Sequence, residues 1–155
     1  MTTLYLQEEI FSFDHFDIWD EAGNVLYQVE REFFHFGKKL IVLDAGGRQL
    51  ASIQHIPFSI PCSYELCLPG QTLALDRLFA LFRKRYVIDA LGWEVEGDFM
   101  SLSYFISQNG RTVASIEKAW PAFHDRYRLT VDDSADTLAA LCVVLAIDCC
   151  DEHDS

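Results

Sequence analysis

GRQLASI at Gly47–Ile53 returns 63 residues later as GRTVASI at Gly110–Ile116. The copy extends in both directions: YQVEREFF at Tyr27–Phe34 answers WEVEGDFM at Trp93–Met100, and Tyr64-Glu65-Leu66 answers Tyr127-Arg128-Leu129. One unit is written twice. Within each copy, short segments alternate apolar and polar residues and are separated by glycine-bearing turns, such as Asp44-Ala45-Gly46-Gly47 and Gln108-Asn109-Gly110. Period-two alternation is the pattern of a strand with one buried face, and glycine with Asn or Asp reverses a hairpin at little steric cost. The pattern predicts strands over 3–8, 16–20, 25–31, 38–44, 49–57 and 63–68, then 72–80, 85–89, 93–98, 101–107, 112–119 and 126–131. Pro57, Pro61, Pro69 and Pro121 fall at strand ends or connections, as a residue with no backbone donor must. Pro69-Gly70-Gln71 joins halves spanning about 1–69 and 70–131, too short a joint for two separate domains, so residues 1–155 read as one.

The last element differs in kind. Leu138 to Ile147 is apolar at every position. Asp132, Asp133 and Ser134 precede it as capping residues, with Asp136 in the first turn, which predicts a helix over about 134–150. A helix apolar all round is buried in protein or lipid. Ten residues rise only about 15 Å, half the hydrocarbon thickness of a bilayer, and the sequel Asp148 to Asp154 is acidic. Protein must surround it. A barrel of eight strands fills with side chains, whereas about twelve leave a lumen that needs a plug. The expected fold is therefore mainly β: a closed antiparallel barrel of about twelve strands, threaded by the C-terminal helix. Asp148 then has two readings, a solvated helix terminus or a buried acid with a partner; the first is preferred, given the acidic residues after it.

The charge is uneven. The chain carries −12 overall, with eight acids against Arg31 in residues 1–32 and seven acids with no base in residues 132–155. The 99 residues between them hold nine acids and eleven bases. That balance argues against nucleic-acid binding, which needs a clustered basic face. No secretory signal or transmembrane stretch is visible, which points to a soluble, cytoplasmic protein, at most peripheral to a membrane. Five cysteines cannot all pair within one molecule and read as reduced, with Cys142 a packing residue inside the apolar run.

No residue pattern in the sequence marks a reaction centre. Glu94 and Glu96 share one strand face and could serve acid–base chemistry or a cation, but they fit a solvent-facing row opposite Trp93 and Val95 better. The five histidines show no spacing for a metal. Ser52 and Ser115 recur in the repeat without nucleophile-elbow glycines, and Gly46-Gly47 is not a phosphate loop. The expectation is no catalytic residue, no metal and no cofactor.

GWEVEGDF (Gly92–Phe99), ASIEKAW (Ala114–Trp120), RYRLTVDD (Arg126–Asp133) and LAALCVVLAIDC (Leu138–Cys149) together resemble the LURP-one-related family. That family stands in the tubby C-terminal-like superfamily with the phospholipid scramblases, and the resemblance, to its bacterial single-domain members, runs from about Leu4 to Cys150. It implies a twelve-stranded barrel around a central hydrophobic helix. It also implies an association with phosphoinositides or membranes, since tubby domains bind such lipids through basic surface residues. The segment that best fits an anionic phospholipid headgroup is Arg83-Lys84-Arg85, with Lys38, Lys39, Arg77, Lys118, Arg126 and Arg128 as neighbours to consider. Its competing reading, which is preferred, is a solvated edge that resists aggregation. The chain is thus expected to be a non-catalytic binding or scaffold module with a protein or lipid partner. The alternative is a membrane-associated phosphoinositide or phospholipid binder, scramblase-like in kind.

Overall fold

The computed structural model describes residues 1–7, 15–34, 37–59, 62–78, 85–98, 103–119 and 126–154. Twelve strands close into one antiparallel barrel in which sequence neighbours are spatial neighbours and the first strand meets the last. The first half contributes β1 (Thr2–Gln7), β2 (His15–Trp19), β3 (Val25–Phe34), β4 (Gly37–Asp44), β5 (Gln49–His55) and β6 (Ser63–Leu68). The second contributes β7 (Gln71–Leu78), β8 (Arg85–Ile88), β9 (Trp93–Asp98), β10 (Ser103–Gln108), β11 (Arg111–Lys118) and β12 (Arg126–Val131), before helix α1 (Thr137–Asp154).

The sequence repeat is a repeat of strand register. Val42 pairs with Ala51 and Leu43 with Gln49, so Leu50 bulges from the β4–β5 ladder. Its counterpart Val113 is passed over in the same way between Ile106↔Ala114 and Ser107↔Thr112. A bulge adds twist and bends its strand, which a closed barrel requires. Beyond the bulge, Ser52↔Cys67 and Ile53↔Leu66 match Ser115↔Thr130 and Ile116↔Leu129. The correspondence reaches strands whose sequences look unrelated: Leu73↔Leu66 and Leu75↔Tyr64 across β6–β7 match Leu4↔Leu129 and Leu6↔Tyr127 across β12–β1. Likewise Phe16↔Val29 and Ile18↔Tyr27 match Tyr86↔Val95 and Ile88↔Trp93.

Inward positions carry Leu, Ile, Val and aromatic residues, and α1 fills the space between them. Every residue from Ala139 to Ile147 is 0% exposed. At about 2 kcal/mol each, Leu141, Val143, Val144, Leu145 and Ile147 contribute about 10 kcal/mol by burial, comparable to the whole net stability of an ordinary domain. The plug is thus a condition of the fold.

Helix entry differs from the expected capping. Asp136, placed in the first turn by sequence, is the cap: its Oδ1 accepts from the Ala139 amide at 3.2 Å, and its carbonyl accepts from the Ala140 amide at 3.0 Å. Asp132 instead ties the approach to the barrel rim. It accepts from the Ser134 amide and hydroxyl and pairs with Arg111 at 2.8 Å, while its own amide donates to the carbonyl of bulged Val113 at 2.8 Å. These contacts, the Ser134 hydroxyl foremost, hold the Asp132 carboxyl below its ordinary pKa. Met1 adds an ion pair from its ammonium to Asp133. Two tight turns lie at this same end, where Asp20 Oδ1 receives the amides of Ala22 and Asn24, and Asp44 Oδ1 those of Gly46 and Arg48.

At the opposite end the helix stays inside longer than expected. α1 runs to Asp154, so Asp148 sits six residues before its end and is only 9% exposed. It has an interaction partner there. The preferred reading of Asp148 as a solvated terminus is therefore overturned. Arg31 and Arg77 lie at this end and share the inward phase of their strands, opposite buried Leu40 and Tyr86.

Candidate functional site

Of the three consecutive bases singled out from sequence, Arg83 and Lys84 lie outside the described residues, and Arg85 opens β8. Tyr86 and Ile88 point into the core, so Arg85 points out. Glu94 and Glu96 face the same way, because they alternate with buried Trp93 and Val95 on the neighbouring strand. Arg85 Nη2 lies 3.4 Å from Glu94 Oε2, and Nε lies 3.1 Å from Glu96 Oε1. One guanidinium thus stands between two carboxylates, and the trio carries a net −1. Half-exposed pairs of this kind contribute no more than about 1 kcal/mol, so their role is to set local charge more than to hold the fold.

Among the described bases, Arg48, Arg126 and Arg128 stand apart from Arg85, while Arg77 lies on the adjacent strand with an inward phase. Arg128 stacks over Tyr5 at 5.8 Å and pairs with Glu117 at 3.4 Å; its pKa is raised, first by its bond to Tyr5. Arg126 sits over the Trp19 ring at 4.2 Å. Arg48 pairs with Asp44 at 3.3 Å, and Arg31, Lys39, Arg77 and Lys118 are engaged as well. Lys39 on β4, Arg85 on β8 and Arg128 on β12 are each four strands apart, about 19 Å along the sheet. No single headgroup spans that.

Two shallow hollows on the described surface lie outside the lumen. One, of about 280 Å³, is lined by Gly97, Ser103, Tyr104, Phe105, Ser115, Ile116 and Glu117. The other, of about 220 Å³, is lined by Gln54, His55, Ile56, Pro57 and Glu65. His55 meets Tyr64 edge to face at 5.3 Å. Ser52 and Ser115 are ladder residues in mid-strand. Among the described residues, no three His, Cys, Asp or Glu side chains are grouped to hold a metal ion. Cys142 is deeply buried, and desolvation pushes its thiol up to about 12, so it stays a protonated packing group.

One feature escaped the sequence reading. Beside the second hollow, Phe58 is 90% exposed and holds the left-handed conformation, φ +62°, that bulky side chains avoid. The connection is tied down. Ser59 donates through its hydroxyl to the Ile56 carbonyl at 2.7 Å and accepts from the Ser63 amide at 3.0 Å, while the Ile56 amide donates to the Ser63 carbonyl at 2.9 Å. The signal available in sequence was the pair of prolines, Pro57 and Pro61, bracketing apolar residues where a connection is usually polar.

A closed twelve-stranded antiparallel barrel plugged by its own C-terminal helix defines a narrow structural class. The family model described as LURP-one-related matches residues 2–148, and the chain belongs to that family. It is similar to the uncharacterized protein YxjI of Bacillus subtilis (strain 168), with 27% identity over 150 residues, covering 96% of this chain and 93% of that protein. Among solved structures it is similar in fold to the X-ray structure of a protein from Arabidopsis thaliana, with a TM-score of 0.65 and 15% identity, over 95% of this chain and 90% of that one. Among the described residues, no helix is long and apolar enough to cross a membrane.

Proposed function

We propose that the chain is a non-catalytic binding module that engages a protein partner through the outer surface and rim of its barrel. The observation that carries this reading is the filled lumen. Ala139–Ile147 occupy the space in which a barrel of this width would hold a small ligand, so recognition falls to the outside. On that outside Arg48, Arg85, Arg111, Arg126 and Arg128 are each matched with a carboxylate or an aromatic ring, which suits surface complementarity better than capture of an anionic headgroup. The net charge of −12 opposes an anionic leaflet.

Co-sedimentation with phosphatidylglycerol–phosphatidylcholine and pure phosphatidylcholine vesicles, at 50 and 300 mM salt, tests the choice of partner. The expected result is no salt-sensitive binding to anionic vesicles, alongside a saturable 1:1 complex with a polypeptide in cross-linking mass spectrometry. Binding to anionic vesicles that weakens with salt and disappears in Arg85→Gln would transfer the function to the lipid reading.

A further inference from the structure

Phe58 contradicts the ordinary logic of folding twice. Its ring is 90% exposed, so it buries little apolar surface in this chain, and its backbone is in a region that a β-carbon disfavours. Residues held in strained conformations persist where the surroundings over-determine them, and they cluster at functional positions. Here the Ser59 hydroxyl, next to the ring in sequence, bridges Ile56 and Ser63. Ile56, 37% exposed, extends the apolar tip, and the hollow that Ile56 and Pro57 line is also lined by Glu65, an exposed carboxylate that accepts from the Cys67 thiol at 3.4 Å.

We infer that Phe58 is the anchor by which this chain docks into an apolar pocket on a partner polypeptide, with a Lys or Arg of that partner opposite Glu65. This rests on the protein-binding reading above and names its contact. Magnitude separates a protein pocket from a membrane as the occupant. Burying one phenylalanine strengthens association by a factor of roughly ten to a hundred, the scale of an interface hot spot. A whole myristoyl chain gives only marginal membrane attachment, so one ring and one isoleucine beside a carboxylate do not hold a protein on a bilayer.

Benzoylphenylalanine placed at position 58, and at exposed Phe105 as control, identifies the polypeptide captured by the intact chain in cells. That polypeptide is then purified and its affinity measured by calorimetry for wild type, Phe58→Asn, Phe58→Leu and Glu65→Gln. Asn accepts the left-handed conformation, so Phe58→Asn is expected to melt at the same temperature or a few degrees higher while binding at least about tenfold more weakly. Phe58→Leu recovers part of that loss, and Glu65→Gln weakens binding about threefold with a reduced salt dependence. An unchanged affinity in Phe58→Asn overturns the inference while leaving the binding-module reading intact. So does dependence on Phe58 of binding to phosphatidylglycerol vesicles, or of self-association in sedimentation velocity, since either gives the ring a different occupant. Absence of any captured polypeptide at either position overturns both readings.

Discussion

Gly97→Ala is expected to be among the most damaging single-methyl additions in the barrel. Gly97 pairs with Tyr104 across β9–β10 and has φ +146°. A methyl group there would stand 2.5 Å from Tyr104 Cα, 2.6 Å from the Ser103 carbonyl oxygen and 2.6 Å from Tyr104 Cβ. All three are backbone or backbone-adjacent atoms of a paired strand, so no side chain can swing away. Gly23 supplies the control: it also has a positive φ, +85°, but a methyl there meets nothing within 4 Å. Gly23→Ala therefore reports conformational strain alone, about 1–2 kcal/mol. Gly97→Ala adds displacement of the β9–β10 ladder, and overpacking of this kind costs a further 1–3 kcal/mol or so, for a total of about 2–5 kcal/mol. At about 2–4 °C per kcal/mol for a domain of this size, the melting temperature should fall by about 4–20 °C, against about 2–8 °C for Gly23→Ala. Calorimetry and urea titration of the two variants decide the matter. Equal losses would refute the steric account of Gly97 and leave only its φ.

Three further outcomes follow from the plug. Truncation after Val131 removes roughly the whole net stability in helix burial, so a soluble 1–131 fragment with dispersed NMR signals would contradict the threaded barrel. Asp148→Asn should lose at least about 1 kcal/mol by urea titration, because it weakens a buried acid that has a partner; a loss near zero would return Asp148 to solvent. Cys142 titrates near 9 when unfolded and at about 12 when folded. Between these values the folded chain keeps a proton that the unfolded chain releases, so stability falls as pH rises, by at most about 1.4 kcal/mol per unit from this group. Urea titrations at pH 8 and 10 should show a smaller loss in Cys142→Ala than in wild type, and equal slopes would place the thiol in contact with water.

The duplication was legible because the turn and the bulge constrain residue identity. Gly47 and Gly110 hold positive φ, and Leu50 and Val113 bulge beside them, so the surrounding letters recur. The relation of β1 to β7 and of β2 to β8 was not legible. Those strands have only to place apolar residues at alternate inward positions, which Leu4 and Leu6 do as well as Leu73 and Leu75, and many sequences satisfy that. Asp148 was misjudged for a geometric reason. Acidity after residue 148 reads as solvent, but α1 starts at Thr137 and continues to Asp154, so the acid lies well inside the rod and still within the wall of strands.

The candidate site was less legible than the fold because its determinants are differences between chemically ordinary residues. Arg83-Lys84-Arg85 stands out as a run of charge, yet Arg85, its described member, is spoken for by carboxylates contributed by the next strand. Phe58 does not stand out, because a phenylalanine in an apolar stretch is ordinarily core, and neither exposure nor a positive φ is written in its identity. The two cases share a cause. Sequence shows which groups are present, whereas a binding surface depends on which of them folding leaves unspent. In this barrel folding spends the apolar helix and most described bases on internal contacts, and leaves an aromatic ring held out from the rim.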